Sequence, residues 1–443
     1  MSQGTSTTSV DLMIHARWII PVVPENTVLS DCSLVIDNGQ ILAIHPTTEA
    51  KRLYSADHEH HLDEHIVTPG LVNTHNHAAM SLLRGFADDH PLQTWLEEHI
   101  WPTEAQWVTP EFVRDGTELS AAEMIRSGTT TFADMYFFPE ETAKAALNSG
   151  MRCQLHFPVL DFPTAWGQGP DDYIQKGLAL SDAYRSHPTI NVAFGPHAPY
   201  TVSDEPLQRI ATLAEEMQAP IQIHLHETAA EVSDAVANTG ERPIERLNRL
   251  GLLSPLTQCV HMTQVTAEDI EVLKQTGANI IHCPESNLKL ASGFCPVKAL
   301  LDNGINVALG TDGAASNNDQ DLFGEMRTAA LLAKGVSGDA SAVDAHTALR
   351  MATLNGAKAL GMDAEIGSLE VGKQADITAI AVNQLEQLPL YNPVSALSYN
   401  NISHQVSHVW VNGNPLMEDR RLTTLDEHRV REKAKYWQNR IES

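Results

Sequence analysis

Apolar residues fall into two patterns along this chain. From about residue 66 to residue 366, short continuous apolar runs recur at 66–73, 129–135, 152–158, 190–196, 219–225, 258–262, 278–283 and 305–310. Stretches rich in Ala, Leu, Glu and Lys with helical spacing lie between most of them, including Glu118–Ser127, Pro206–Met217 and Ala267–Thr276. Continuous apolar runs of this length suit parallel strands buried on both faces. Eight strand-then-helix units over roughly 300 residues predict a (β/α)8 TIM barrel. An open doubly wound sheet is the alternative, but no G-x-G-x-x-G follows the first run, which argues against its dinucleotide-binding form.

The two ends read differently. Residues 1–65 and 367–443 alternate apolar and polar positions around turns, as in Leu12–Ile20, Ser33–Ile36, Gln40–Ile44 and Val406–Pro415. Asp37-Asn38-Gly39 is a hairpin signal. These ends predict one small β-sandwich domain built from both termini, closed by a terminal helix; two separate β modules fit the pattern as well.

Chemistry concentrates where the predicted barrel strands end. The first run leads into Pro69-Gly-Leu-Val-Asn-Thr-His75-Asn-His77, and residues two apart on extended chain point the same way. Later strands end in His197, in His224-Leu-His226-Glu227, in His261, in His282-Cys-Pro-Glu-Ser-Asn and in Thr311-Asp312-Gly. The C-terminal rim is where a barrel of this kind assembles its active site. Three imidazoles and a carboxylate are a fitting donor set for zinc, with iron(II) chemically allowed. An ion so held brings the pKa of bound water toward ~7. Glu227, three residues past His224, is placed to protonate a substrate, and His261 and Asp312 to hold or deprotonate water.

This set, with Gly367-Ser-Leu-x-x-Gly-Lys-x-Ala-Asp376 near the end, resembles the amidohydrolase superfamily. Within it the chain looks most like the 5'-methylthioadenosine/S-adenosylhomocysteine deaminases, on three features. They are Thr94-Trp95-Leu with Glu104 downstream, Pro196-His197-Ala-Pro-Tyr-Thr-Val, and His282-Cys-Pro-Glu-Ser-Asn-Leu-Lys-Leu-Ala-Ser-Gly. The resemblance implies metal ligation by His75, His77, His224 and Asp312, and proton transfer by Glu227, His261 and Asp312. It implies substrate contacts from Glu104 (ribose hydroxyls), His197 (purine), Trp95, Ser316, Glu227 and Asp312. The reaction implied is hydrolytic loss of ammonia from C6 of an adenine nucleoside. The family pattern selects His224 over His226 as ligand and leaves His226 a supporting role. Binuclear relatives carry a bridging lysine where this chain has Gly195-Pro196-His197, so one metal is expected. Some members of the deaminase group place an arginine just after strand three. Here His156-Phe157-Pro158 stands there and Arg152 only begins the strand, which tilts the expectation toward methylthioadenosine. Arg84 or a neighbouring subunit is the other source of positive charge. Sibling activities on guanine, oxidised purines, pterins or triazines share the metal set. A non-catalytic scaffold would be free to lose it.

Composition narrows the partners. A net charge of −27, from 29 basic and 56 acidic residues, opposes binding to nucleic acid or anionic lipid. Five scattered cysteines without a C-x-x-C fit reduced thiols. The polar N-terminus and the lack of a membrane-length apolar run lead us to expect a cytoplasmic protein, and the resemblance adds a homo-oligomer, dimer or tetramer.

Overall fold

A computed structural model describes residues 7–443; residues 1–6, part of the polar N-terminal stretch, lie outside it. Two eight-stranded sheets account for the strands. In chain order they are β1 (Thr8–Ile19), β2 (Leu29–Asp37), β3 (Gln40–Pro46), β4 (Tyr54–Pro69), β5 (Leu71–Asn73), β6 (Thr129–Asp134), β7 (Arg152–Val159) and β8 (Ile190–Pro196). There follow β9 (Ile221–Leu225), β10 (Thr257–His261), β11 (Asn279–His282), β12 (Val307–Leu309), β13 (Ile377–Ala381), β14 (Val406–Val411), β15 (Asn414–Glu418) and β16 (Arg421–Leu422).

Strands β5 to β12 lie side by side in sequence order and all run parallel. The ring closes through Thr74 N–H to Leu309 O (3.0 Å) and Asp312 N–H to His75 O (3.1 Å). Reciprocal bonds between Asn73 and Thr311 reinforce that seam, Nδ2 to Oγ1 at 2.8 Å and backbone N–H to Oδ1 at 3.0 Å. This is the expected (β/α)8 barrel. Its strands are buried throughout, apart from two positions of β8, and this explains their unbroken apolar character.

The second sheet, in order β16-β15-β14-β13-β4-β1-β2-β3, takes strands from both chain ends, so the paired-termini expectation holds over the two-module one. Asn38 and Gly39 join β2 to β3 with φ of 50° and 77°, the left-handed pair that a tight hairpin turn needs.

One boundary differs from the sequence reading. The run at 66–73 is not a single barrel strand: residues up to Pro69 belong to β4 of the terminal sheet, and only Leu71–Asn73 is barrel. Gly70 is the hinge between them. A Cβ there would meet the Thr130 side chain at 2.1 Å, so the close approach of the two sheets requires glycine. Arg152 and Asp376 tie the sheets together nearby, with Nε donating to Oδ2 at 3.1 Å inside the protein. The terminal helix Glu427–Ile441 lies on the barrel helix Pro110–Arg126, with Trp437 Nε1 donating to Asp115 Oδ2 (3.0 Å). Among the described residues no helix is long and apolar enough to cross a membrane.

Candidate active site

Buried imidazoles converge at the C-terminal rim of the barrel. His75 Nε2 is 3.2 Å from His224 Nε2 and 3.4 Å from Asp312 Oδ1, and His77 Nε2 is 3.3 Å from that same oxygen. Each ring is aimed by a bond from its other nitrogen. The Nδ1–H groups are donated to Gln222 Oε1 from His75 (2.6 Å), to Met135 O from His77 (2.6 Å), to His197 O from His224 (2.7 Å) and to Asn287 Oδ1 from His261 (2.8 Å). Every Nε2 is therefore left with a lone pair. His75 Nε2 is shared by two close groups of donors, one with His77 and Asp312 and one with His224 and His261. Two ligands held about 2.0–2.1 Å from one tetrahedral ion stand about 3.3–3.4 Å apart, close to the separations found here. Imidazoles and a carboxylate in this arrangement suit a zinc-class ion, whose charge would offset the repulsion among their lone pairs.

Asp312 is fixed on all sides. Its Oδ2 accepts from Ser286 Oγ and Ser316 Oγ, both at 2.7 Å, and its Oδ1 from Gly313 N–H at 2.7 Å. His226, His261 and Asp312 have φ of 53°, 76° and 62°. Non-glycine residues in this region store strain, and here they turn the chain off the strand ends into the site.

Glu227 faces His261, Oε2 to Nε2 at 3.8 Å, and Ser292 Oγ donates to its Oε1 at 3.3 Å. Burial, and then the charge of Asp312, pushes its carboxyl up to about 8. Burial also lowers His261 and brings His197 down to about 4, so both are neutral imidazoles at pH 7. The backbone of Glu227 is clamped from behind: Glu231 accepts from His226 N–H (2.9 Å) and Glu227 N–H (2.7 Å).

The donors sit at the bottom of a cavity of about 490 Å³, within the range of small-molecule sites. Trp95 and Glu104 line it from a π-helical turn, Trp95–Ile100, and the helix that follows, Trp101–Trp107. Tyr136 donates its hydroxyl to Glu104 Oε1 (2.6 Å), and burial raises the Glu104 carboxyl to about 7 against that bond. His197 and Ser316 also line the cavity. The residues to which the resemblance gave a metal, proton-transfer or substrate role thus lie around one cavity, His75 just beneath it. His226 does not: its Nδ1–H goes to Gln264 O (3.0 Å) and its Nε2 accepts from Ile244 N–H (3.2 Å), a fully satisfied structural histidine. The strand ends at Leu225, so His226 does not share the face of His224 as the spacing suggested.

Gln222, Asn287, Ser286, Tyr136 and Glu231 were not singled out by sequence reasoning. Ser286 and Asn287 lie in the quoted His282-Cys-Pro-Glu-Ser-Asn stretch, and Thr228-x-x-Glu231 has the form of a helix-start signal. Gln222, two residues before His224 inside an apolar run, was the available clue to a polar barrel interior. The two arginines considered for a substrate carboxylate are committed elsewhere. Arg84 donates to Glu123 Oε1 (2.9 Å) and Asn318 O (3.1 Å), and Arg152 to Asp376.

Comparison with known proteins agrees with this geometry. The amidohydrolase family model matches residues 66–416. The 5-methylthioadenosine/S-adenosylhomocysteine deaminases of Teredinibacter turnerae and Saccharophagus degradans are 57% and 56% identical, over 99% of this chain and 99% and 98% of theirs. A zinc-bound adenosine deaminase from Xanthomonas campestris superposes with a TM-score of 0.98 at 46% identity, covering 99% of this chain and all of that one. The family model covers the whole barrel and the relatives run end to end, so this chain belongs to the amidohydrolase family.

Proposed function

We propose that this chain is a zinc-dependent aminohydrolase that converts 5'-substituted adenosines, 5'-methylthioadenosine foremost, to the inosine analogue and ammonia. The observation that carries the reading is the gathering of His75, His77, His224 and Asp312 at the barrel rim, with Glu227 and His261 facing each other beside them. His75, His77, His224 and Asp312 would hold one ion per chain. When bound, that ion supplies a Lewis acid able to make water nucleophilic at neutral pH.

The chain's own groups do the rest. Glu227 gives its proton to N1 of the adenine, which draws electrons from C6 and opens it to attack by water oxygen. His261, neutral and with Nε2 free, takes a proton from that water, and Asp312 helps to orient it. His261 passes the proton it took from water to the exocyclic nitrogen, the C6–N bond breaks and ammonia departs, and the remaining C6 hydroxyl proton returns to the Glu227 carboxylate, leaving a carbonyl at C6. His197 contacts the purine, and Glu104, with Tyr136 behind it, accepts from the ribose hydroxyls, with Trp95 as a wall.

The 5' preference follows from the outer cavity. Leu92, Leu96, Ile100, Trp101, Leu160 and Phe162 lie there, and among the described residues no lysine or arginine lines it. A methylthio group gains from that surface. The charged amino-acid end of S-adenosylhomocysteine would lose water without gaining a partner. The names of the relatives and the bound zinc of the Xanthomonas enzyme support the zinc-dependent adenosine-type deaminase reading, without ranking the two 5' groups.

The test is ammonia release by zinc-loaded protein on methylthioadenosine, S-adenosylhomocysteine, adenosine and guanine. Turnover highest on methylthioadenosine, and lost in Glu227→Gln, is expected. Activity on guanine alone would overturn the nucleoside assignment and the role of Glu104.

A further inference from the structure

A second group of ligating side chains stands on the terminal sheet, away from the cavity. β1 and β4 run parallel with His15 beside His61, and Glu59 precedes His61 by two residues on the same strand face. His15 Nε2 is 3.4 Å from Glu59 Oε2, and His61 Nε2 is 3.6 Å from that oxygen. The two rings stack with centroids 4.7 Å apart. The His15 side chain is only 3% exposed, whereas those of Glu59 and His61 are 37% and 52% exposed and reach solvent.

Hydroxyl groups fix the tautomer of His15. Thr47 Oγ1 donates to Asp31 O (3.0 Å), and Ser33 Oγ donates to Thr47 Oγ1 (3.0 Å). With its one hydrogen spent, Ser33 Oγ accepts from His15 Nδ1–H at 2.6 Å. A neutral His15 then turns its Nε2 lone pair on the Glu59 carboxylate, acceptor against acceptor. Either a proton or a cation between them would relieve this. One ring nitrogen anchored to an internal acceptor while the other faces a carboxylate and a second imidazole is the arrangement of a metal-ligating histidine.

We propose that His15, Glu59 and His61 form a second site for a borderline divalent cation such as zinc, with water completing the shell. Their ligating atoms all lie within 4.8 Å of one another, close enough for one ion after small rotations of the two exposed side chains. Such an ion would pin β1 to β4, the strand that leads through Gly70 to His75 and His77. The site does not depend on the deaminase reading.

Metal analysis of stripped and zinc-reloaded full-length protein tests this. Wild type should hold two zinc ions per chain. His61→Ala and Glu59→Gln, both at exposed positions that the fold tolerates, should each hold one, with turnover of methylthioadenosine unchanged. The second equivalent should raise the melting temperature of wild type and of neither variant. A wild type that holds one ion, lost in His75→Ala, overturns the second site and leaves the barrel site standing. Two ions retained in both His61→Ala and Glu59→Gln overturn it as well.

Discussion

Replacing Gln222 by Met tests how the metal ligands are aimed. Of the four imidazoles at the rim, His77 and His224 are oriented by backbone carbonyls, while His75 and His261 depend on the side chains of Gln222 and Asn287. Gln222 is itself fixed, its Nε2 donating to Gln258 Oε1 (2.6 Å) and Thr74 O (2.9 Å), and Gln258 Nε2 donates in turn to Gln154 Oε1 (2.9 Å). Met has nearly the same volume and no polar atoms to replace these bonds. His75 Nδ1–H, Gln258 Oε1 and Thr74 O would each lose a partner where water does not reach, at about 1–3 kcal/mol apiece. The metal-free protein should therefore lose roughly 3–9 kcal/mol of stability. His75 would also be free to take the other tautomer, with the proton on the nitrogen that must bind the ion. Loss of such a supporting bond typically weakens metal affinity about 10–100-fold. Zinc competition against a chromophoric chelator reads the affinity, and urea melts of stripped protein read the stability. A folded Gln222→Met protein with wild-type zinc affinity would refute the view that this amide selects the tautomer of His75.

Glu227→Gln should lower kcat by about 10²–10⁴-fold with zinc content unchanged, since only the acid is lost. Because the Glu227 carboxyl is raised to about 8, the proton donor is present below that pH and lost above it. The kcat/KM profile should therefore fall on the alkaline side of about 8, with an acid limb, below the usual imidazole range, where His261 takes up a proton; an alkaline fall that begins near pH 5 would contradict the assignment. Glu231→Gln exchanges one of two acceptors for an amide N–H directed at a backbone N–H, and the misplaced Glu227 should cost about 5–100-fold in kcat with KM and zinc binding little changed. Equal losses in KM and zinc content would point to general misfolding instead. Arg152→Met leaves Asp376 buried without its cation and should destabilise the protein by about 3–5 kcal/mol in urea denaturation; an unshifted midpoint would show that the two sheets are not coupled through this pair.

The barrel was readable because its strands are buried on both faces and carry unbroken apolar runs that stand out from the helices between them. β4 was not. Ten of its 16 residues, Ala56-Asp-His-Glu-His-His-Leu-Asp-Glu-His65, are mostly exposed and polar, so neither strand periodicity nor apolarity marks it. The helix Thr47–Leu53 went unread for a related reason, since it buries only Ala50. At the site, the candidate ligands stood out because a histidine or aspartate recurs at the end of so many strands. Their orienting partners were not, because an amide or a hydroxyl next to a ligand looks like any other polar residue until the packing brings the two together. Left-handed backbone at His226, His261 and Asp312 had no signal either, since no glycine marks it.

The shared path of β4 and β5 has a consequence for how the protein is made. β4 lies between β1, near the start of the chain, and β13, which begins at Ile377. A ribosome working at the usual rate needs roughly 15–60 s to cover the intervening 300 or so residues, and during that time one edge of β4 stays open. The strand that positions His75 and His77 is thus held on one side only until the last sixth of the message has been read. Nascent chains stalled before Ile377 should neither retain zinc at the barrel rim nor turn over a nucleoside, even though every ligand has already been synthesised.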